Sequence, residues 1–501
     1  MTHEDELIEL LDKKTAKEPQ DTDVLNRQRE AIERTFKSFQ LRGRITRSII
    51  APQVNCFDFI CGDGEKPSLY RAFLNNIRLG LGSVNVRLVL PKSGGGEGRI
   101  EVPLEQRAMV SAGELFRSEE WKNAQGTLPM MLGMGLDGKP KVVDLAKAPH
   151  LLMAGSAGTG KTVFIEQCLL SLMLRHAPEE LKLILSDSRC VEFTKYRNLP
   201  YLQFPVLTTA QETVTALQWL NEEMERRYEL LNHENCRDIK AMNAKKPGAL
   251  PFIVMVIDEF ADFMLETRKL MESLLSRLCA LSRAVGIHLI ISTQRPDSRV
   301  LTGTIRANIP TRMAFRVADI PDSRKILDAD DAECLLGLGD MLFKEPSSEE
   351  LPRIQSGYVN DQESERIIER LKSMYGDMKP NALPPLLSTE RNPMEILRDK
   401  LAYSARGILE DKLEWLKTDI IDEITRAKDT SSMEQLEANV EWCFNDSIID
   451  EASDAVADSI IEHWDELKAV AFDVDEEPNR DEVEEADSES DEGLSTLDNE
   501  R

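Results

Sequence analysis

Between about residue 142 and residue 357 the chain alternates short, unbroken apolar runs with longer segments of helical spacing. The runs are LLMA (151–154), LKLIL (181–185), FIVMVI (252–257), HLIIS (288–292) and RMAFRV (312–317). Apolar runs this short, without alternation, describe strands buried on both faces, as in a parallel sheet covered by helices. Thr162–Leu174 and Ala210–Leu231 carry the spacing of two covering helices. The pattern predicts an α/β core over residues 136–360. Ahead of it, residues 1–44 are polar and charged, helical in part, with no strong core signal. Residues 45–135 then mix β-like runs with one helical segment. RLVL (87–90) and RIEVPL (99–104) flank SGGGEG, a flexible hairpin tip. LYRAFLNNIRLGL (69–81) has helical spacing, so a small α/β domain is expected here.

Past Asp361 the pattern changes again. PNALPPLL (380–387) reads as a break, and Asn392-Pro393 opens a helix with a capping residue and a first-turn proline. Leu397, Leu401, Ile408, Leu413, Leu416, Ile420 and Ile424 follow at near-helical spacing, and a second amphipathic stretch runs from Met433 to Trp464. A helical region is thus expected over 361–472, followed by a tail over 473–501 too acidic to fold alone.

Composition adds three limits. No apolar run approaches the roughly 18 residues that span a bilayer, and the start, MTHEDELIEL, is acidic rather than a signal segment. The expectation is a cytoplasmic chain without membrane contact. Eight scattered cysteines form no CxxC pair, which points to buried reduced thiols rather than zinc. The net charge of −27 argues against nucleic acid until it is mapped: 14 acidic residues against two arginines, from Ala471 to the end, supply −12 of it. A basic surface elsewhere can act locally, because charges are screened beyond about 10 Å.

The chemistry begins at GSAGTGKT, which is Gly155, Ser156, Ala157, Gly158, Thr159, Gly160, Lys161 and Thr162. A strand, then GxxxxGK[ST], then a helix is a phosphate-binding P-loop. Its glycines turn backbone N–H groups inward, and the helix N-terminus adds a favourable dipole. Lys161 is expected to reach the β- and γ-phosphates of ATP, and Thr162 to hold Mg²⁺. FIVMVIDEFAD places Asp258 and Glu259 at the end of an apolar strand. Asp258 would bind the metal through water and Glu259 would polarise the attacking water. HLIIS ends in Thr293-Gln294, and Gln294 is a candidate sensor of the γ-phosphate, since ligands gather at strand carboxyl ends.

These phrases and several others resemble the FtsK/SpoIIIE family of DNA translocases, in order and in spacing. They are VVDLAKAPHLLMAGSAGTGKTVFI, EEMERRYELL, IVMVIDEFADFM, SRAVGIHLIISTQRPDSRVLTGTIRANIPTRMAFRV, DSRKILD and LLGLGDMLF. Earlier, NVRLVLP, GRIEVPLEQR and SAGELFRSEEW resemble that family's smaller α domain, so the likeness covers about residues 45–360. It implies a RecA-like motor fold, a hexameric ring around double-stranded DNA, and ATP sites shared between neighbours. It also implies that Arg283 enters the next subunit's site, and that Arg295, Arg306 and Arg324 face DNA. The segment Arg295–Lys325 holds seven basic and three acidic residues, a net of +4, suited to gripping phosphates without reading sequence.

The chain departs from the family at Ile320, where a lysine is usual, and at SDSR (186–189), where the family has IDPK. Neither the family's membrane-spanning N-terminus nor its C-terminal winged helix is expected. In their place stand the helical region and acidic tail, candidate contacts for a protein partner. The leading expectation is a soluble, ATP-driven DNA translocase serving a mobile element, plasmid or defence system. The alternatives are a related ATPase that pumps protein, and a P-loop scaffold assembled with a partner such as a nuclease.

Overall fold

A computed structural model describes residues 3–12, 22–83, 85–90, 97–346, 348, 350–376 and 380–384. All lie in one compact unit, Met1–Thr389. The helices expected from Asn392 onward and the acidic tail lie outside the described residues.

The chain opens with α1 (His3–Ile8) and α2 (Thr22–Ser38). The small domain follows as β1 (Arg44–Ile50), β2 (Val54–Ile60), α3 (Pro67–Ala72), α4 (Leu74–Leu81), β3 (Arg87–Val89) and β4 (Gly98–Pro103). Its strands form an antiparallel sheet in the order β1-β2-β4-β3. The expected hairpin is β3 and β4, whose tip falls outside the described residues. The single helix expected over 69–81 is two helices. Phe73 leaves helical geometry between them, and its ring lies against Phe39. The N-terminal segment carries more core than its polarity suggested. Ile32 and Phe36 of α2 are buried against Phe57, Phe59, Tyr70 and Ile77, with Phe36 edge-on to Tyr70 at 5.2 Å. Leu7 and Leu11 are buried in the larger core, and Arg117 donates to the carbonyls of Ile8 and Leu11, strapping the N-terminus down.

After α5 (Ala112–Phe116) and α6 (Glu119–Lys122) the large domain begins. Its strands are β5 (Pro129–Gly135), β6 (Pro140–Asp144), β7 (His150–Ala154), β8 (Leu181–Asp187), β9 (Phe252–Asp258), β10 (Ile287–Thr293), β11 (Arg312–Phe315), β12 (Asp340–Lys344) and β13 (Arg353–Gln355). Between them run α7 (Lys161–Arg175), α8 (Ala210–His233), α9 (Ile239–Lys245), α10 (Phe260–Leu281), α11 (Gly303–Asn308) and α12 (Ile320–Leu327), and α13 (Asp361–Tyr375) closes the unit. The nine strands lie in the order β6-β5-β13-β12-β11-β7-β10-β9-β8. The five apolar runs read from sequence are its parallel half, β11-β7-β10-β9-β8. The antiparallel half was not foreseen. Its strand β5 joins this sheet, although the sequence reading placed residues 129–135 in the small domain. Capping boxes start α8 at Thr209 with Glu212, and α13 at Asn360 with Glu363.

A buried ionic joint links the two sheets. Arg353 of β13 donates to Glu101 of β4 at 2.8 Å and to both oxygens of Asp340 at 2.9 and 2.6 Å. Arg87 of β3 donates to Glu101 and to Asp331, each at 3.1 Å. Arg353, Glu101 and Asp340 are each about 1 % exposed as side chains. The two guanidinium groups hold the Glu101 carboxyl below the usual carboxylate range in spite of its burial, which acts the other way. Arg353→Met strands the buried Asp340 carboxylate and leaves Glu101 with Arg87 alone, and is expected to cost about 3–5 kcal/mol, read as a lower urea midpoint. A loss under about 1 kcal/mol would show that the joint is no more than a surface pair.

Candidate nucleotide site and strand-end surface

The loop between β7 and α7 is shaped by glycines at positive φ: Gly158 (71°) and Gly160 (106°). A Cβ on Gly160 would stand 2.4 Å from the Gly339 nitrogen, so no other residue fits. The Gly339 N–H donates to the Thr159 carbonyl at 2.8 Å, and the Ser156 N–H donates to the Arg316 carbonyl at 2.9 Å. LLGLGDMLF and RMAFRV are thus walls of the loop. Lys161, 5 % exposed, donates to the carbonyls of Gly155 and Ser156 at 2.5 and 2.8 Å. Burial pulls its ammonium down to about 8, against the opposing pull of Glu259 and Asp258. Thr162 is half-buried at the start of α7.

Asp258 and Glu259 end β9 beside this loop. Asp258 is 7 % exposed, and burial, then the nearby Glu192, pushes its carboxyl up to about 6. Among the described residues it has no ion pair, which suits a carboxylate that takes a divalent cation. Thr162 and Asp258 offer the hard oxygen donors that Mg²⁺ takes. Glu259 is 2 % exposed and has left-handed backbone (φ 49°, ψ 61°), a conformation that costs about 1–3 kcal/mol outside glycine. Its carboxylate accepts from the Thr293 hydroxyl at 3.1 Å, from the Gln294 N–H at 3.1 Å and from Arg189 at 3.3 Å. Gln294 therefore meets Glu259 through its main chain.

Three further partners complete the site; the sequence reading met Arg189 only as part of a departure from the family and gave the other two no role. Arg189, last residue of SDSR, bridges Glu259 and, at 3.8 Å, Asp262. Asp187 pairs in register with Asp258 and accepts the N–H groups of Arg189, Glu192 and Phe193, fixing the loop after β8. A polar residue closing the apolar run LKLILSD was the available signal. Thr293 is the third.

Arg283 is exposed on a turn, Ser282–Val285, that enters the amino end of β10. The P-loop packs at the carboxyl end of β10, seven residues or about 20 Å away, so Arg283 cannot reach the loop of its own chain. EEMERRYELL braces that turn from α8. Buried Arg227 donates to the Val285 carbonyl at 2.8 Å, and the Tyr228 hydroxyl to the Leu281 carbonyl at 2.6 Å.

The three arginines expected to face DNA are only partly together. Arg295 is exposed just past β10. Arg306 and Arg324 both lean on the turn Asp328–Asp331: Arg306 pairs with Asp328 at 3.5 Å and Arg324 with Asp330 at 2.6 Å. Arg312, counted as surface charge in sequence, is 6 % exposed and donates to Asp328 at 2.7 Å. Extending the count from Lys325 to Asp331 reduces the net of +4 to +1. Ile320, in place of the family's lysine, opens α12 and is 41 % exposed. Among the described residues no helix is long and apolar enough to cross a membrane.

Residues 113–298 match the FtsK/SpoIIIE family, and residues 7–104 match the FtsK alpha domain. A DNA translocase FtsK of Treponema pallidum is 42% identical over 348 residues, covering 68% of this chain and 44% of that protein. A DNA translocase SftA of Bacillus subtilis is 38% identical over 371 residues (73% and 39%). A DNA translocase FtsK of Haemophilus influenzae is 38% identical over 361 residues (67% and 68%). The chain thus spans less than half the length of the first two relatives and two thirds of the third.

Asp258 yields a test. Its folded-state value of about 6 lies above the ordinary 3.8, so the folded form takes up this proton first as pH falls. The burial penalty is complete above pH 6 and fades between pH 6 and pH 4. Asp258→Asn is expected to raise stability near neutral pH by at most about 3 kcal/mol, and the gain should shrink toward pH 4 in thermal melts. A gain that does not vary with pH would contradict this.

Proposed function

This chain belongs to the FtsK/SpoIIIE family, and from that premise we propose that it is an ATPase that moves along double-stranded DNA as a ring of six copies. The observation that carries the reading is Glu259: a buried carboxylate, held by donors on three residues, beside a loop shaped for phosphates. The loop N–H groups and Lys161 hold the β- and γ-phosphates of ATP. A bound polyphosphate raises the lysine's affinity for its proton, which keeps it charged. Thr162 and Asp258 hold Mg²⁺, which when bound neutralises charge on the phosphate oxygens. Glu259 orients a water and accepts its proton as the γ-phosphate is attacked. Thr293 and Arg189 fix that carboxylate, and Gln294 ties it to the strand that ends beside the γ-phosphate.

Arg283 acts in trans. Its place at the amino end of β10 leaves a neighbour's site as its target, where its charge stabilises the transferring phosphoryl group. Arg295, Arg306 and Arg324 contact DNA phosphates, so the grip is independent of sequence and sensitive to salt. The relatives reported above are named DNA translocases, which favours duplex DNA as cargo over protein.

Duplex DNA is expected to stimulate ATP hydrolysis about tenfold or more at low salt, with the stimulation falling steeply as salt rises. Hydrolysis unmoved by duplex in dilute buffer would remove the translocase reading. Lys161→Ala and Arg283→Ala should each be nearly inactive alone. Mixed, they should regain activity, because the Lys161→Ala copy supplies its arginine to a neighbour with an intact loop. No regain on mixing would mean that Arg283 does not act across subunits.

A further inference from the structure

Arg227 of α8 is 1 % exposed, and a guanidinium taken that far from water is held against a desolvation cost. Burial pulls it below the ordinary arginine value, and Glu223 pulls the other way. Pairing with Glu223 does not account for its place. That carboxylate already accepts two hydrogen bonds from Arg226, at 2.6 and 2.8 Å, and Arg227 adds a third at 2.7 Å. The other arm of Arg227 leaves the helix altogether and donates to the main-chain carbonyl of Val285.

Val285 closes the turn Ser282–Val285, and every flank of that turn is bonded to its surroundings. The Tyr228 hydroxyl, from the next residue of α8, holds the Leu281 carbonyl. The Ser282 hydroxyl donates to the Ile287 carbonyl at 2.9 Å, and the Ile253 N–H of β9 to the Gly286 carbonyl at 2.9 Å. Gly286 takes the chain through φ 72°, where a Cβ would stand 2.6 Å from Ile239 Cδ1. The one long side chain that this turn leaves exposed is Arg283, and among the described residues it has no ion pair. A closely braced backbone thus carries a cation that the chain itself does not use.

We propose that Arg227 is a positioning residue for Arg283: it fixes the turn from which Arg283 meets the transferring phosphoryl group of a neighbouring copy. The inference rests on the reading of Arg283 as acting in trans. A charge that serves another copy receives no placement from the site it serves until the two meet, so its own turn must supply it. Misplacement by about 1 Å is enough to cost a hundredfold in rate. The rigid guanidinium fork suits this task, because one side chain spans from Glu223 on its own helix to Val285 on the turn. A methionine fills similar space but leaves the Val285 carbonyl without that donor.

The test is ATP hydrolysis with duplex DNA by Arg227→Met, alone and mixed with Lys161→Ala, alongside calorimetric binding of ADP. No carboxylate is stranded in this variant, since Glu223 keeps Arg226. Alone, it should hydrolyse ATP about tenfold or more slowly than wild type. It should bind ADP as wild type does, because its P-loop lies at the far end of β10 and ADP has no γ-phosphate for Arg283 to meet. Mixed with Lys161→Ala, it should regain activity as Arg283→Ala does, because the Lys161→Ala copies bring an intact turn to its loops. Unchanged hydrolysis would overturn the proposal. A loss that mixing does not restore, or weakened ADP binding, would overturn it as well, since either marks a general structural role. If Arg227→Met does not fold, Tyr228→Phe, which removes one hydroxyl from the same brace, decides in its place. A loss of about threefold, restored on mixing, supports the proposal, and unchanged hydrolysis overturns it. Regain by Arg283→Ala but not by the brace variant would sink this inference alone. No regain by either would sink the trans reading together with it.

Discussion

The contact between Thr159 and Gly339 is the constraint on which the rest of the molecule turns. Two backbones meet there, both at positive φ in their glycines: a Cβ on Gly160 would strike the Gly339 backbone, and one on Gly339 would strike the Ser356 side chain. A P-loop needs its N–H groups aimed inward, and a flexible glycine loop would not hold that aim by itself. Here the aim is imposed from outside, by the starts and ends of β10, β11 and β12. The same wall leads away from the site. Asp340 accepts the Leu336 N–H at 2.8 Å and is gripped by Arg353, whose other arm holds Glu101 in the small domain. The back of the phosphate loop is therefore one short chain of buried, bonded groups from the second sheet. Buried pairs of this kind are stiff because any displacement exposes uncompensated charge.

Electrostatics at the site run against the stability of the chain. Asp187, Asp258 and Glu259 gather at the ends of two adjacent strands, with Lys161 and Arg189 as the nearby cations. A desolvated carboxylate is unfavourable, which is why Asp258 resists ionisation until about pH 6. Glu259 adds a strained backbone to its burial. These costs make sense together as preorganisation, in which charge and geometry are set before a substrate and its cation arrive.

The sequence made the parallel half of the sheet plain because each of its strands is buried on both faces and reads as an unbroken apolar run. It hid the antiparallel half for the opposite reason. β12 and β13 are short and carry Asp340 and Arg353, so their apolar signal is diluted by the very charges that join the domains. α2 was hidden in the same way, since only a few apolar residues on a charged helix reach the core. Lys161, Asp258 and Glu259 could be named from local motifs, because each stands at a strand end whose chemistry is local. Thr293 could not, because its importance comes from the Glu259 carboxylate that lies opposite it in space.

The basic surface shows the same gap between a count and a field. A window that stops at Lys325 sees seven cations, while the fold brings Asp328 and Asp330 back onto three of them. The pairs differ in kind. Arg312 is buried, and its guanidinium also donates to the carbonyls of Ile309, Ile326 and Arg306, so it belongs to the scaffold. Arg324 is 62 % exposed as a side chain, and a pair so exposed is worth about 1 kcal/mol or less. Persistent charge lies in the buried joint and at the strand ends, and the exposed Arg324–Asp330 pair stands outside both.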